Sequence, residues 1–161
     1  MPRRTRFEAR DPDFASRVRS SFARQRVMTF LGATLTRVEP GVAVIELPYR
    51  AELSQQHGFF HAGITSTIAD SAGGYAAFTL FGVNDSVLTV EYKMNLLAPA
   101  DGQKLIATGR VVKPGKTLTI CELEVVAVKN ASETLCAIGQ QTLICMKNKS
   151  DQAPHDEGAP G

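Results

Sequence analysis

The sequence predicts a single α+β domain in which one long helix packs on a strongly curved antiparallel sheet. A nearly uncharged helical window occupies residues 62–81, two short strand-like runs precede it, and four longer ones follow. Strands of ten or more residues joined by short turns are typical of an antiparallel meander. A helix grouped with such strands is expected to cover one face of their sheet.

The composition is that of one globular domain. The 161 residues are 43% hydrophobic and 21% charged, which excludes an intrinsically disordered chain. The net charge of +2 gives no indication of a nucleic-acid or membrane partner. Cys121, Cys136 and Cys145 are odd in number and widely spaced, so neither a disulfide framework nor a zinc site is expected. We therefore expect free, packed thiols, no metal and a cytoplasmic location.

The two ends differ from the middle. Residues 1–29 are rich in arginine and lack an apolar core segment, which excludes a secretory signal and favours a solvated amphipathic helix over a transit peptide. This helix is expected to begin after Asp13, with Phe14, Val18 and Phe22 on one face. Residues 147–161 are polar and rich in Gly and Pro, which is typical of a disordered tail. The folded domain is thus predicted over residues 30–146.

The strands are bounded by turn residues. Residues 32–40 and 41–48 are predicted to form a hairpin, and residues 49–60 a loop. After the helix, strands are expected at 86–97, 104–113, 117–129 and 134–146, with Pro, Gly or Asn in each break.

The helical window carries one charge, Asp70. Ile64, Ile68 and Tyr75 form its core face, and the absence of surface Lys and Glu predicts that most of its other sides are covered too. Its length would suit a membrane span, but a carboxylate and several Ser and Thr argue against one. The pair Gly73-Gly74 predicts a close approach of the helix backbone to another surface.

Asp70 falls among small residues on a side of the helix away from the core face. It is either an ordinary exposed acid or a carboxylate held at an interface, where it can act as base or nucleophile. Residues 57–63 lead directly into the helix. The N–H groups of its first turn have no acceptor within the helix and can bind a carbonyl oxygen. Asp70 lies about 12 Å along the axis from Ala62. If both act on one carbonyl, they come from two antiparallel copies of the helix, which predicts a homodimer with shared sites.

The segment His61-Ala62-Gly63, with Asp70 and Gly73-Gly74 beyond it, resembles the PaaI-like branch of the hotdog-fold acyl-CoA thioesterases. Residues 88–93, 97–100 and 112–117 resemble the family's next strand and hairpin. The resemblance implies a helix wrapped by the sheet, dimers with a continuous sheet and often homotetramers. It also implies an acyl-CoA substrate, so that coenzyme A is part of the substrate and no cofactor is needed.

The resemblance also implies roles for individual residues. Asp70 matches the base or nucleophile, Thr89 the hydroxyl that positions water, and the Ala62 N–H the oxyanion donor. His61 matches the motif histidine that supports the loop. Gln55 stands where many members have an Asn that binds the thioester oxygen, and its amide is retained on a longer arm. The expected substrate contacts, in the acyl pocket and at the CoA phosphates, are Gly63, Phe59, Phe60, Tyr75, Lys113 and Lys116.

Two other functions remain open at this stage. One is a non-catalytic acyl-CoA-binding hotdog protein. The other is a hotdog dehydratase or hydratase acting on 3-hydroxyacyl thioesters, in which His61 and Asp70 would serve together.

Overall fold

A computed structural model describes residues 6–153 and confirms the predicted α+β class. The helices are α1 (Phe14–Arg24), α2 (Arg26–Leu31) and α3 (Ala62–Phe78), with a 3₁₀ turn at Ala51–Leu53. The strands are β1 (Thr34–Glu39), β2 (Val42–Pro48), β3 (Ser86–Leu96), β4 (Lys104–Lys113), β5 (Leu118–Lys129) and β6 (Ser132–Met146). Each strand lies within three residues of its predicted bounds.

The six strands form one antiparallel sheet in the order β1-β2-β4-β5-β6-β3. After β2 the chain passes through a loop into α3. It then enters the sheet again as β3, at the edge opposite β1 and beside β6. Helix α3 packs against five of the strands, β2 to β6, so the sheet curves around it. The position of β3 brings its side chains next to α3 and β6 at a free edge of the sheet.

Glycines allow α3 to lie directly on the sheet. A Cβ atom added to Gly109 of β4 would overlap the backbone of Ala72 and Gly73. A Cβ on Gly73 would overlap the side chains of Gln141 and Leu123. The predicted close approach is therefore confirmed for Gly73, whereas a Cβ on Gly74 would make only an ordinary contact at 3.6 Å.

Helix α3 ends at Phe78, three residues before the predicted end. The Thr79 hydroxyl bonds back to the carbonyl of Ala76 and accepts the Gly41 N–H, which ties the last turn to the β1–β2 hairpin. Arg17 of α1 then donates to the carbonyls of Phe81 and Gly82, both at 2.9 Å. Arg17 thus satisfies carbonyls in the turn after α3, which have no helical N–H partner because the helix has ended. Among the described helices, none is long and apolar enough to cross a membrane.

The single predicted N-terminal helix is divided in two at Gln25, whose backbone is extended. Asp13 occupies the predicted N-cap position but makes no side-chain capping bond. Val18 and Met28 are fully buried, so both helices are attached to the core. The first residues of the predicted tail make contacts, because Asp151 pairs with Arg24 at 2.7 Å. Residues 154–161 lie outside the described part of the chain, and the domain bounds at 29 and 146 stay predictions.

The three cysteines are free and buried, which confirms their predicted packing role. Burial raises the pKa of the Cys121 thiol to about 12, so this side chain stays neutral at ordinary pH.

The contrast between Gly109 and Gly74 gives a test of how closely α3 packs on the sheet. We expect Gly109→Ala to lower the free energy of unfolding by about 1–3 kcal/mol, the usual cost of overpacking. Gly74→Ala, inside the helix with room for a methyl group, should raise it by up to about 1 kcal/mol. Urea denaturation of both variants measures the difference, and equal stabilities would contradict this account of the packing.

Candidate active site

Asp70 lies on the side of α3 that faces β3 and β6, and its side chain is half-buried. The Thr89 hydroxyl donates to Oδ1 of Asp70 at 2.7 Å. The Gln141 amide donates to the same oxygen at 2.5 Å and to the Asp70 carbonyl at 3.1 Å. Asp70 is therefore a held carboxylate, and the interpretation as an ordinary exposed acid was wrong.

Burial and hydrogen bonding act on Asp70 in opposite directions. Burial raises the pKa of its carboxyl and outweighs the bonds from Thr89 and Gln141, which lower it. Both donors bind Oδ1, and no donor within residues 6–153 binds Oδ2. Oδ2 is thus available to take a proton, and a raised pKa makes the group a stronger base once it is ionised.

A cavity of about 470 Å³ opens beside Asp70. Tyr75 lines it, with its hydroxyl 3.3 Å from Ser21 Oγ of α1. Arg24 of α1 and Asp151 of the C-terminal segment pair with each other in its wall. Helix α1 and the segment after β6 therefore both contribute to this cavity, which no sequence pattern indicated.

A second cavity, of about 600 Å³, lies at the start of α3. The loop that enters the helix is fixed by the backbone: Phe60 forms an isolated β-bridge with Ser54, and the His61 N–H donates to the Leu53 carbonyl at 2.9 Å. The Phe60 ring packs edge-on against Tyr49, with centroids 5.2 Å apart. The predicted site residues that line this cavity are Gln55, Phe59, Phe60, His61 and Ala62.

His61 is the N-cap of α3, and its Nδ1 accepts the Gly63 N–H at 2.9 Å. A Cβ on Gly63 would lie 3.0 Å from that nitrogen, so a glycine suits the cap. The Ala62 N–H has no acceptor within the described residues. Gln55 uses its Oε1 to accept the His57 N–H, which leaves its amide hydrogens free. The helix start thus presents one unused backbone donor and one side-chain donor.

Within one chain the predicted site residues fall into two groups. Asp70, Thr89 and Tyr75 line the first cavity, whereas the residues from Gln55 to Ala62 named above line the second. Gly63 lines neither cavity. About two turns of α3 separate Ala62 from Asp70, which is about 12 Å of axial rise. This separation agrees with the expectation that one complete site needs two copies of the helix.

Two predicted contacts lie elsewhere. Lys113 and Lys116 are exposed at the β4–β5 hairpin and line neither of these cavities. Their contact with CoA phosphates stays a prediction. Among residues 6–153 there is no cluster of three or more His, Cys, Asp or Glu side chains placed to hold a metal.

Gln141 is the site residue that sequence reasoning missed. It lies on β6 in the inward-facing phase with Ala137, Leu143 and Cys145, all of which are buried. A single amide in an otherwise apolar phase was a usable signal, because a buried polar side chain requires a partner.

Several known proteins are similar to this chain in sequence or in structure. The profile of a family described as the thioesterase superfamily matches residues 57–134. A solved thioesterase family protein from Silicibacter pomeroyi is 46% identical, with a TM-score of 0.82 over 83% of this chain and 98% of the other. A provisionally named esterase of Saccharolobus solfataricus is 34% identical over 62% of this chain and 70% of its own length. Human acyl-coenzyme A thioesterase 13 is 27% identical over 68% of this chain and 76% of its own length.

The raised pKa of Asp70 predicts a pH-dependent stability difference. The folded state holds the proton more tightly than the unfolded state, so ionised Asp70 lowers the free energy of unfolding as pH rises through its folded-state pKa. Asp70→Asn keeps Oδ1 as an acceptor and removes the charge. We expect a higher Tm than wild type at pH 7.

This gain should disappear at a pH below the ordinary aspartate range, where Asp70 is protonated in both states. Thermal melts across pH measure it, with Glu133→Gln, at an exposed position of β6, as the control for net charge. A Tm for Asp70→Asn below that of wild type at pH 7 would contradict the conclusion that burial outweighs the hydrogen bonds in setting the pKa of Asp70.

Proposed function

This chain belongs to the thioesterase superfamily, and from that premise we propose that it hydrolyses acyl-CoA thioesters to a free acid and CoA. The observation that carries the proposal is the half-buried Asp70 carboxylate, held by Thr89 at the wall of a cavity with Oδ2 unused. The relative named acyl-coenzyme A thioesterase 13 supports the acyl-CoA substrate. The proposed reaction needs neither a metal nor a cofactor.

We further propose that each site is shared between two subunits of a homodimer. Strand β3 is a free edge with exposed Leu88, Val90 and Tyr92 side chains, an arrangement that favours pairing with another strand. Pairing of two β3 edges about a two-fold axis would continue the sheet and bury apolar side chains. It would also place the two α3 helices side by side in opposite directions, with the start of each near Asp70 of the other. Association of two such dimers gives the proposed tetramer.

In the proposed reaction Asp70 Oδ2 takes a proton from water, and the water oxygen attacks the thioester carbonyl carbon. The carbonyl oxygen becomes an oxyanion and accepts the N–H of the partner's Ala62 and the amide N–H of the partner's Gln55. Collapse breaks the C–S bond, and the proton held by Asp70 passes to the departing CoA sulfur. Atoms and charge balance, because one water adds across one thioester.

The remaining residues support this assignment. The His61 cap holds the first turn of α3, and the lack of a Cβ at Gly63 allows His61 Nδ1 to approach its N–H. We propose that a thioester contacts Gly63 at this turn. Phe59 and Phe60 would contact substrate at the oxyanion end, and Tyr75 would line the acyl end beside Asp70. Lys113 and Lys116 would contact the CoA phosphates. A dehydratase would instead require His61 to act together with Asp70, and the Nδ1 atom of His61 already accepts the Gly63 N–H as the cap of α3.

Replacement of Asp70 tests the reaction. We expect Asp70→Asn to lower kcat by about two orders of magnitude or more, because the general base is lost while the fold is kept. Wild type and variant are assayed on short, medium, long and aromatic acyl-CoAs with detection of free thiol. Circular dichroism and light scattering serve as controls of fold and assembly. Equal rates would remove Asp70 from the mechanism and favour a binding protein.

The oxyanion donor can be removed without changing a side-chain contact. Ala62 is the first residue of α3, where proline is well tolerated, and the extended backbone of His61 is compatible with a following proline. Ala62→Pro deletes the N–H and adds two ring carbons at the cavity wall, and we expect normal stability and a loss of about 10²–10³-fold in kcat. Ala62→Gly, which retains the N–H, should keep most of the activity.

Mixing these variants tests the shared site. In a dimer of one Asp70→Asn chain and one Ala62→Pro chain, one site receives an intact Asp70 and an intact Ala62 N–H. Co-purified mixed dimers should therefore recover about half of the wild-type activity, whereas each variant alone stays inactive. No recovery in verified mixed dimers would show that each site is built within one chain.

A further inference from the structure

Gln141 occupies a position where an apolar side chain would be expected. It is 1% exposed and lies on β6 beneath α3, next to Leu123 and Leu143. Gly73 leaves room for it, because a Cβ at that position would overlap the Gln141 Oε1 atom. The helix therefore approaches the sheet at a glycine directly over this amide.

The Gln141 side chain is only partly satisfied. Its two Nε2 hydrogens are shared among three acceptors, which are the carbonyl and Oδ1 of Asp70 and, at 3.0 Å, Thr89 Oγ1. Its Oε1 is buried and has no partner within the described residues. A buried oxygen without a partner lowers stability, and a hydrophobic residue in this phase of β6 would avoid that loss. The fold thus retains the amide at a cost in stability, which is characteristic of a functional position.

The three bonds have a consequence for Thr89. Because Nε2 donates to the Thr89 oxygen, the hydroxyl hydrogen is directed to Asp70 Oδ1. One lone pair on the Thr89 oxygen remains to accept a hydrogen from water. Both donors also meet at Oδ1, so Oδ2 is the oxygen left to act as the base.

We propose that Gln141 is a positioning residue that orients the Thr89 hydroxyl and reserves Oδ2 of Asp70 for proton transfer. This inference rests on the proposed thioester hydrolysis. It assigns to Gln141, a residue beyond the matched segment 57–134, a part in selecting which carboxylate oxygen reacts.

The pKa of Asp70 offers a test of the role of Gln141. A Gln141 that only fills space in the core would not affect it. The bond from Gln141 lowers the pKa of Asp70, against the larger opposite effect of burial. The other titratable groups that line the cavity are Tyr75 of α3, Arg24 of α1 and Asp151 of the C-terminal segment. Arg24 and Asp151 pair with each other at 2.7 Å, and Tyr75 bonds to Ser21.

Gln141→Met is the informative variant, because methionine has a similar length and volume but no donor. We expect a folded dimer with kcat lowered about tenfold or more, KM little changed, and the acid limb of the kcat–pH profile moved to higher pH. Gln140→Met, at the exposed neighbouring position on β6, is the matched control and should leave both unchanged. A Gln141→Met enzyme with wild-type kcat and pH profile would overturn the proposal.

A measurement on the unmodified protein covers the case in which the variant fails to fold. In ¹⁵N-labelled wild type, the side-chain amide signals of Gln141 should titrate at the same pH as the Asp70 carboxyl, and those of Gln140 should not. This titration should be absent in Asp70→Asn. A Gln141 signal that ignores Asp70 overturns the proposal, even in a protein active on acyl-CoA. A wild type without activity on acyl-CoA would refute the proposed hydrolysis only. The Gln141 amide signals would still report whether Gln141 is coupled to the Asp70 carboxyl.

Discussion

The site depends on the contact between the backbone of α3 and the sheet at Gly73 and Gly109. Because neither position has room for a Cβ atom, the helix lies directly on β4 and cannot shift outward without losing that contact. Asp70, nearly one turn before Gly73, is thereby brought within hydrogen-bond distance of Thr89 and Gln141 on the neighbouring strands. The position of the carboxylate is therefore set by main-chain packing.

That packing also determines the electrostatic state of Asp70. The sheet removes water from one side of the carboxylate and raises its pKa, while two directed donors keep the charged form accessible. A more exposed acid would be a weaker base, and an acid buried without donors would remain protonated at neutral pH. Partial burial therefore gives Asp70 both the basicity and the ionised form that the proposed proton transfer from water requires.

The sequence was informative where periodicity carried the signal. The strands and the uncharged helix followed from alternation and spacing, and Asp70 stood out as the single charge in that helix. Gln141 was missed because it lies 71 residues beyond Asp70, and its contact depends on the order of strands in the sheet. The break at Gln25 and the pairing of Arg24 with Asp151 were missed because tertiary contacts, rather than local pattern, decide them.

The distribution of these residues along the chain separates the proposed chemistry from the choice of substrate. Asp70 and the helix-start donor lie within residues 57–134, the segment matched by the family profile. The cavity beside Asp70 is also walled by Ser21 and Arg24 from the N-terminal helix and by Asp151 from the C-terminal segment, all outside it. Under the proposed mechanism, proteins that share the central segment keep the same base and oxyanion donor, while the segments on either side of it present different walls to the acyl group. Changes in acyl preference are then expected to arise from α1 and the residues after β6, which surround the cavity without contacting the reacting atoms.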